Sequence, residues 1–164
     1  MIEMIPMLPQ HWEAVKTIYE EGIATGNATF QTTAPNWQEW DNAHIKTCRI
    51  IATEKDEVLG WAALTSVSSR CVYAGVAEVS VYVAANARGK NIGTLLLKEL
   101  VHQSDEVGYW TLQSGIFPEN KASIYIHEKN GFRMVGYREK IGKMGNLWRD
   151  NISLERRSSK IGID

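Results

Sequence analysis

The sequence predicts an α/β fold: a mixed central sheet of about seven strands with helices on both faces, formed by one domain over residues 1–164. Three observations carry this expectation. Short runs with a period of two, rich in β-branched and aromatic residues, alternate with longer stretches whose apolar residues recur every three or four positions. Their order, β-α-α-β-β-β-α-β-α-β-β, combines hairpins with strand–helix–strand crossovers, so antiparallel and parallel pairings share one sheet. Between Val76 and Leu100 the period switches from strand to helix across a polar, glycine-bearing turn.

Ile2 to Leu8 reads as the first strand, closed by Pro9. Gln10 to Ile23 is an amphipathic helix with Trp12, Val15, Ile18, Tyr19 and Ile23 on one stripe, ended by Gly22 and Gly26. The loop from Thr25 to Pro35 is polar apart from Phe30, an aromatic that either lines a pocket or pins the loop to the core. Asn36 caps a second helix through Trp37, Trp40 and Ile45. Arg49–Thr53 and Val58–Val67 form a hairpin about Lys55-Asp56-Glu57, and Ser68 to Gly75 leads to the central strand. That strand sets Val79, Val81 and Val83 on one face, and Glu78, Ser80 and Tyr82 on the other.

After the turn, Ile92, Leu95, Leu96, Leu97, Leu100 and Val101 restore helical spacing. Tyr109–Phe117 is the next strand and Glu119–Asn130 the last helix, stopped by Asn130-Gly131. Phe132–Ile141 and Leu147–Leu154 close the sheet, and the tail over residues 156–164 is expected to fray.

A formal charge of −1, with both signs interspersed, provides no basic patch for nucleic acid. No apolar run reaches the roughly 18 residues of a membrane span, and the N-terminus lacks the layout of a signal peptide. Cys48 and Cys71 have no metal-like spacing; two reduced thiols fit a cytoplasmic protein without a metal.

The turn Ala85-Asn86-Ala87-Arg88-Gly89-Lys90-Asn91 collects free backbone N–H groups at the positive end of a helix dipole, where phosphates bind. A solvated connection holding one Arg and one Lys is an equally good reading of the spacing alone. A Walker A loop is excluded because Asn91 follows Lys90, and a dinucleotide fingerprint because Gly89 and Gly93 do not supply its three glycines.

Arg88-Gly89-Lys90-Asn91-Ile92-Gly93 resembles the acetyl-CoA loop of the GNAT N-acetyltransferases, R/Q-x-x-G-x-G/A, with Asn91 in place of the central glycine. Asn is the residue other than glycine that best tolerates positive φ. The helix from Asn120 to Gly131-Phe132 resembles the late segment of that family. Thr29-Phe30, Arg70-Cys-Val-Tyr73 through Glu78, and Lys143 through Trp148-Arg-Asp150 resemble the phosphinothricin and methionine sulfoximine acetyltransferases.

The resemblance implies a GNAT fold splayed at a slot for acetyl-CoA. The cosubstrate would be held by Arg88, Gly89, Lys90, Asn91, Ile92, Gly93 and Thr94, by the backbone of Val81, Tyr82 and Val83 at a β-bulge, and by Asn120 and Ser123. It also implies a homodimer, a small-molecule amine substrate and a role in antibiotic or herbicide resistance.

Acetyl transfer needs a neutral amine, and a carboxylate near that amine can take its proton. Glu78 is the candidate; alternation alone allows it to be an ordinary water-facing strand residue, whereas the resemblance places the base there. His127 stands where many GNAT enzymes have a tyrosine that protonates the leaving thiolate, with Tyr125 as substitute. Asn120 also suits a helix cap. For a substrate carboxylate, Arg70 beside Tyr73 offers a guanidinium, and Phe30 a pocket wall. The expected activity is acetylation of the α-amine of a small amino-acid-like compound by direct transfer in a ternary complex. Acetylation of a protein N-terminus or a polyamine, and a CoA-binding sensor without catalysis, are the alternatives.

Overall fold

A computed structural model describes residues 1–164. Its elements run β1 (Glu3–Pro6), α1 (Trp12–Ala24), α2 (Trp37–Ala43), β2 (Ile50–Glu54), β3 (Glu57–Ser66), β4 (Val76–Val83), α3 (Ile92–Val107), β5 (Thr111–Ile116), α4 (Lys121–Lys129), β6 (Arg133–Met144) and β7 (Leu147–Arg157). The seven strands form one sheet in the order β1-β2-β3-β4-β5-β7-β6. Only β4 and β5 run parallel, because α3 crosses over between them; the other pairings are antiparallel. Lys55 and Asp56 both adopt positive φ in the β2–β3 turn, the backbone that a two-residue hairpin requires. Asn36 Oδ1 accepts the Glu39 N–H at 2.9 Å and so caps α2 as its sequence foretells.

The alternation of β4 sorts the core into two layers. Tyr82 faces α1 and stacks between Tyr19 and Trp61, with both centroid distances 4.9 Å. On the other face, Val83 and Gly60 lie under α3, whose Ile92, Leu96, Leu97 and Leu100 are fully buried. Burial of such side chains stabilises by roughly 1.5–3 kcal/mol each, which fixes α3 and the turn before it onto the sheet.

Three features depart from expectation. Gly22 lies within α1 instead of ending it, since a Cβ there would sit 2.6 Å from the Tyr82 ring. The register of β3 on β4 runs unbroken from Gly60↔Val83 to Ser66↔Ala77, so this ladder contains no bulge. The slot opens instead because β5 pairs with β4 only as far as Glu78↔Gln113 and then diverges. The tail is anchored at its start: β7 reaches Arg157, Ser158 is buried, and the Arg157 guanidinium donates to the carbonyls of Ile161 at 2.7 Å and Gly162 at 2.7 Å, while residues 159–164 carry no helix or strand. A basic, polar composition suggests a solvated end, but the Arg156 and Arg157 guanidinium groups are taken up by Asp105 and by carbonyls respectively.

Gly22 supplies a prediction in which two effects compete. In an open helix Gly→Ala stabilises by up to about 1 kcal/mol. At Gly22 the new methyl must displace a stacked aromatic ring, and overpacking costs about 1–3 kcal/mol. Gly22→Ala is therefore expected to lower stability in urea unfolding; an increase would show that Tyr82 shifts freely.

Candidate functional site

The divergence of β4 from β5 leaves a cavity of about 800 Å³, bounded by the loop after α1, by α2, by the open edge of β4, by β5 and α4, and by β6. Beyond Glu78, the main-chain groups of β4 that face β5 have no ladder partner. They form a short strand edge at which an extended ligand can pair, and Val81 and Tyr82 line it.

The turn ahead of α3 has the geometry of an anion cradle. Gly89 has φ +79° and Asn91 has φ +66°, so the asparagine adopts the left-handed conformation usually left to glycine. No side chain caps α3, its first turn holds no acid, and its first backbone bond to Asn91 comes from Leu95. The amides of Ile92, Gly93 and Thr94 are thus free to take an anion, with exposed Arg88 and Lys90 beside them. A Cβ on Gly93 would lie 3.1 Å from Ile126, so this glycine lets α4 approach α3 closely. Free amides at a helix N-terminus with two flanking cations suit a phosphate group.

Glu78 lines the cavity from β4, at the last pair before β4 and β5 separate. It reaches water, yet the surrounding walls remove enough bulk solvent to raise its carboxyl above the ordinary glutamate range. A carboxylate so placed is a stronger base than one on an open surface.

His127 is only 3 % exposed and also lines the cavity. Its Nδ1 lies 2.7 Å from the Ser123 carbonyl, which can only accept, so Nδ1 carries the proton and Nε2 holds a lone pair. Nε2 has no partner, and burial pushes the imidazole pKa down. At neutral pH Nε2 of His127 is therefore an acceptor, so to protonate a leaving thiolate, the role its position implies, it must first take up a proton. Tyr125, the substitute donor, is 62 % exposed, carries Lys129 over its ring and does not line the cavity.

Asn120 and Ser123 line the cavity, but the Asn120 side chain is already engaged. Its Oδ1 accepts the Ser123 N–H at 3.2 Å and its Nδ2 donates to the Asn27 carbonyl at 3.1 Å, tying α4 to the loop after α1. Phe30 is a wall: it meets Phe117 edge-to-face at 4.8 Å and packs where Gly142 leaves room. The structure does not bring Arg70 and Tyr73 into this constellation. Both are exposed, the Arg70 guanidinium lies 5.5 Å over the Tyr73 ring, and neither lines the cavity.

Several participants have no local signature in the sequence. Arg138 contributes a guanidinium to the cavity, Glu39 a second carboxylate and His44 a second imidazole. Arg149 lies outside it but organises a wall. Buried over the Phe117 ring at 3.9 Å, it donates to the Gly26 carbonyl at 2.8 Å and to Asn27 Oδ1 at 2.9 Å. The motif Trp148-Arg-Asp150 marked Arg149 by pattern only; its work is to hold the Phe30 loop. Asp150 accepts the Tyr137 hydroxyl and the Lys140 N–H, while Trp148 is exposed. No helix is long and apolar enough to cross a membrane.

Comparison with known proteins agrees with this geometry. The model of the acetyltransferase (GNAT) family matches residues 10–132. The L-methionine sulfoximine/L-methionine sulfone acetyltransferase of Pseudomonas paraeruginosa is 29% identical over 142 residues, covering 83% of each chain. The phosphinothricin N-acetyltransferase of Streptomyces coelicolor is 38% identical over 96 residues, 58% of this chain and 56% of its own. The crystal structure of a phosphinothricin acetyltransferase from Sinorhizobium meliloti in complex with acetyl-CoA shares the fold, with a TM-score of 0.89 at 24% identity over 99% of this chain and 91% of that one.

Proposed function

This chain belongs to the GNAT acetyltransferase family, and from that premise we propose that it transfers the acetyl group of acetyl-CoA to the α-amine of a small amino-acid-like acceptor. Phosphinothricin, methionine sulfoximine and methionine sulfone are the acceptor types, as the names of its relatives suggest. The observation that carries the reading is the raised-pKa carboxyl of Glu78 in the same cavity as the unpaired edge of β4.

The amides from Arg88 to Thr94 hold the phosphates of CoA, and the edge at Val81, Tyr82 and Val83 holds its arm beside Asn120 and Ser123. The cosubstrate supplies an acetyl group already activated as a thioester. Glu78 accepts a proton from the acceptor's ammonium group and leaves a neutral, nucleophilic amine. The lone pair at His127 Nε2 takes the second amine proton and passes it towards the departing sulfur. Tyr19, Tyr82, Trp61 and Trp40 form a rigid aromatic floor beneath the acceptor side. A cysteinyl acyl-enzyme has no support, because Cys71 is exposed, Cys48 is buried, and neither lines the cavity.

The protein acts as a homodimer in this proposal. Met134, Val135, Tyr137, Ile141, Leu147 and Trp148 expose a band of apolar surface along the β6–β7 hairpin, which a second copy would cover. Sedimentation of the isolated protein at micromolar concentration tests this: a monomer rejects the dimer.

Release of free thiol from acetyl-CoA, measured with methionine sulfone, phosphinothricin, spermidine and a short peptide, tests the activity. Turnover with the first two supports the proposal. Turnover with spermidine or peptide alone replaces the acceptor class, and CoA binding with no turnover indicates a sensor.

A further inference from the structure

We propose that Arg138 binds the acid group of the acceptor, and therefore that this site selects a zwitterionic amino acid over a polyamine or a peptide. The inference rests on the acetyltransferase reading above and narrows its substrate. The charged side chains lining the cavity are Glu39, Glu78 and Arg138, with the two imidazoles of His44 and His127. Both imidazoles are held neutral by burial, each with Nδ1 2.7 Å from a backbone carbonyl. Arg138 is thus the one permanent cation of the cavity.

The local structure keeps this guanidinium available. The β6–β7 register breaks between Arg138 and Gly142, and Lys140 adopts φ +47° in the irregular segment. Such breaks re-aim side chains. Asp150 is the acid adjacent in sequence to Asn151, the ladder partner of Arg138, but both its oxygens are spent pinning the break. Oδ2 accepts from the Tyr137 hydroxyl and Oδ1 from the Lys140 N–H at 2.7 Å. One oxygen of Glu39, Oε1, accepts from Asn36 Nδ2 at 3.0 Å. Arg138 itself makes no ion pair or side-chain hydrogen bond within the chain.

Strand order sets the spacing. β4 and β6 are separated by β5 and β7, three interstrand steps or about 14 Å across the sheet, and Arg138, paired with Asn151, lies about four residues or about 13 Å further along it than the Glu78↔Gln113 pair. Glu78 and Arg138 line the same cavity from these two strands, so an acceptor held between their long side chains would turn its amine towards the carboxylate and its acid towards the guanidinium. A polyamine has no anion to offer Arg138 and would set an amine against it, although Glu39 and Glu78 also line the cavity. Arg70, outside the cavity over Tyr73, is not needed for the anion.

The test compares methionine sulfone with its carboxamide, which lacks the anion, in the wild type, Arg138→Gln and Arg70→Gln. Arg138→Gln is expected to raise KM for methionine sulfone roughly 10–100-fold, the worth of a charge-assisted hydrogen bond, with kcat and KM for acetyl-CoA within about twofold. On the carboxamide the wild type and Arg138→Gln should be alike, and Arg70→Gln should match the wild type on both. The proposal is overturned if Arg138→Gln leaves KM for the acid unchanged, if it harms acid and carboxamide equally, or if Arg70→Gln carries the discrimination. A wild type inert towards methionine sulfone and phosphinothricin, but active on spermidine or peptide, rejects the acceptor class beneath it as well.

Discussion

Glu78→Gln is expected to lower kcat about 10²–10⁴-fold at neutral pH, the usual range for loss of a general base. The isostere keeps the volume and the strand position, so the fold and the turn at Arg88–Thr94 stay intact and acetyl-CoA affinity should be nearly unchanged. The pH dependence separates a base from a merely polar neighbour. Burial raises the Glu78 carboxyl above the ordinary glutamate range, so in the wild type the acid limb of kcat/KM should fall at a pH above that of a free glutamate. In the variant this limb disappears, and the rate should keep climbing into the alkaline range as the acceptor amine loses its own proton. Equal rates for wild type and variant across the whole pH range would remove Glu78 from the mechanism.

The parts of the site legible in the sequence are those whose geometry is local. The anion turn was legible because strand, turn and helix follow one another within Val76–Leu100, and Asn91 takes positive φ by its own chemistry. Glu78 was legible as a carboxylate interrupting a valine-rich strand, and Asn36 and Asn120 as caps. What escaped depends on contacts between distant segments. Arg149 bonds a carbonyl 123 residues away, and neither chain segment records the other.

The slot was foreseen, but its origin was not. Period-two patterning says which face a residue occupies but not how far two strands stay paired, so separation of β4 from β5 took the place of the expected bulge. His127 was correctly placed on α4, yet its tautomer follows from burial and from the Ser123 carbonyl, neither of which spacing reveals. Arg70 was chosen as a guanidinium beside Tyr73 in a segment that resembles the family; it does not line the cavity, whereas Arg138 does.

Asp105→Ala should be strongly destabilising although it lies outside the cavity. Asp105 is buried on α3 and receives the Arg156 guanidinium in a fork, at 2.9 Å to Oδ1 and 3.0 Å to Oδ2, while the Ser158 hydroxyl donates to Oδ1 at 2.6 Å. Removing the carboxylate leaves Arg156 without its partner and releases the end of β7 from α3. Breaking such a pair costs about 3–5 kcal/mol, a fall of roughly 6–20 °C in Tm for a domain of this size. These donors, Arg156 first, hold the Asp105 carboxyl below the usual aspartate range. Its contribution is therefore complete above the unfolded-state value of about 3.9 and is lost as pH falls through the lower folded-state value. Urea unfolding of wild type and Asp105→Asn between neutral and acid pH reads this directly: the wild-type advantage should be large and flat near neutrality and should shrink towards acid. An advantage independent of pH would mean that packing, and not the ionised carboxylate, ties the end of the chain to α3.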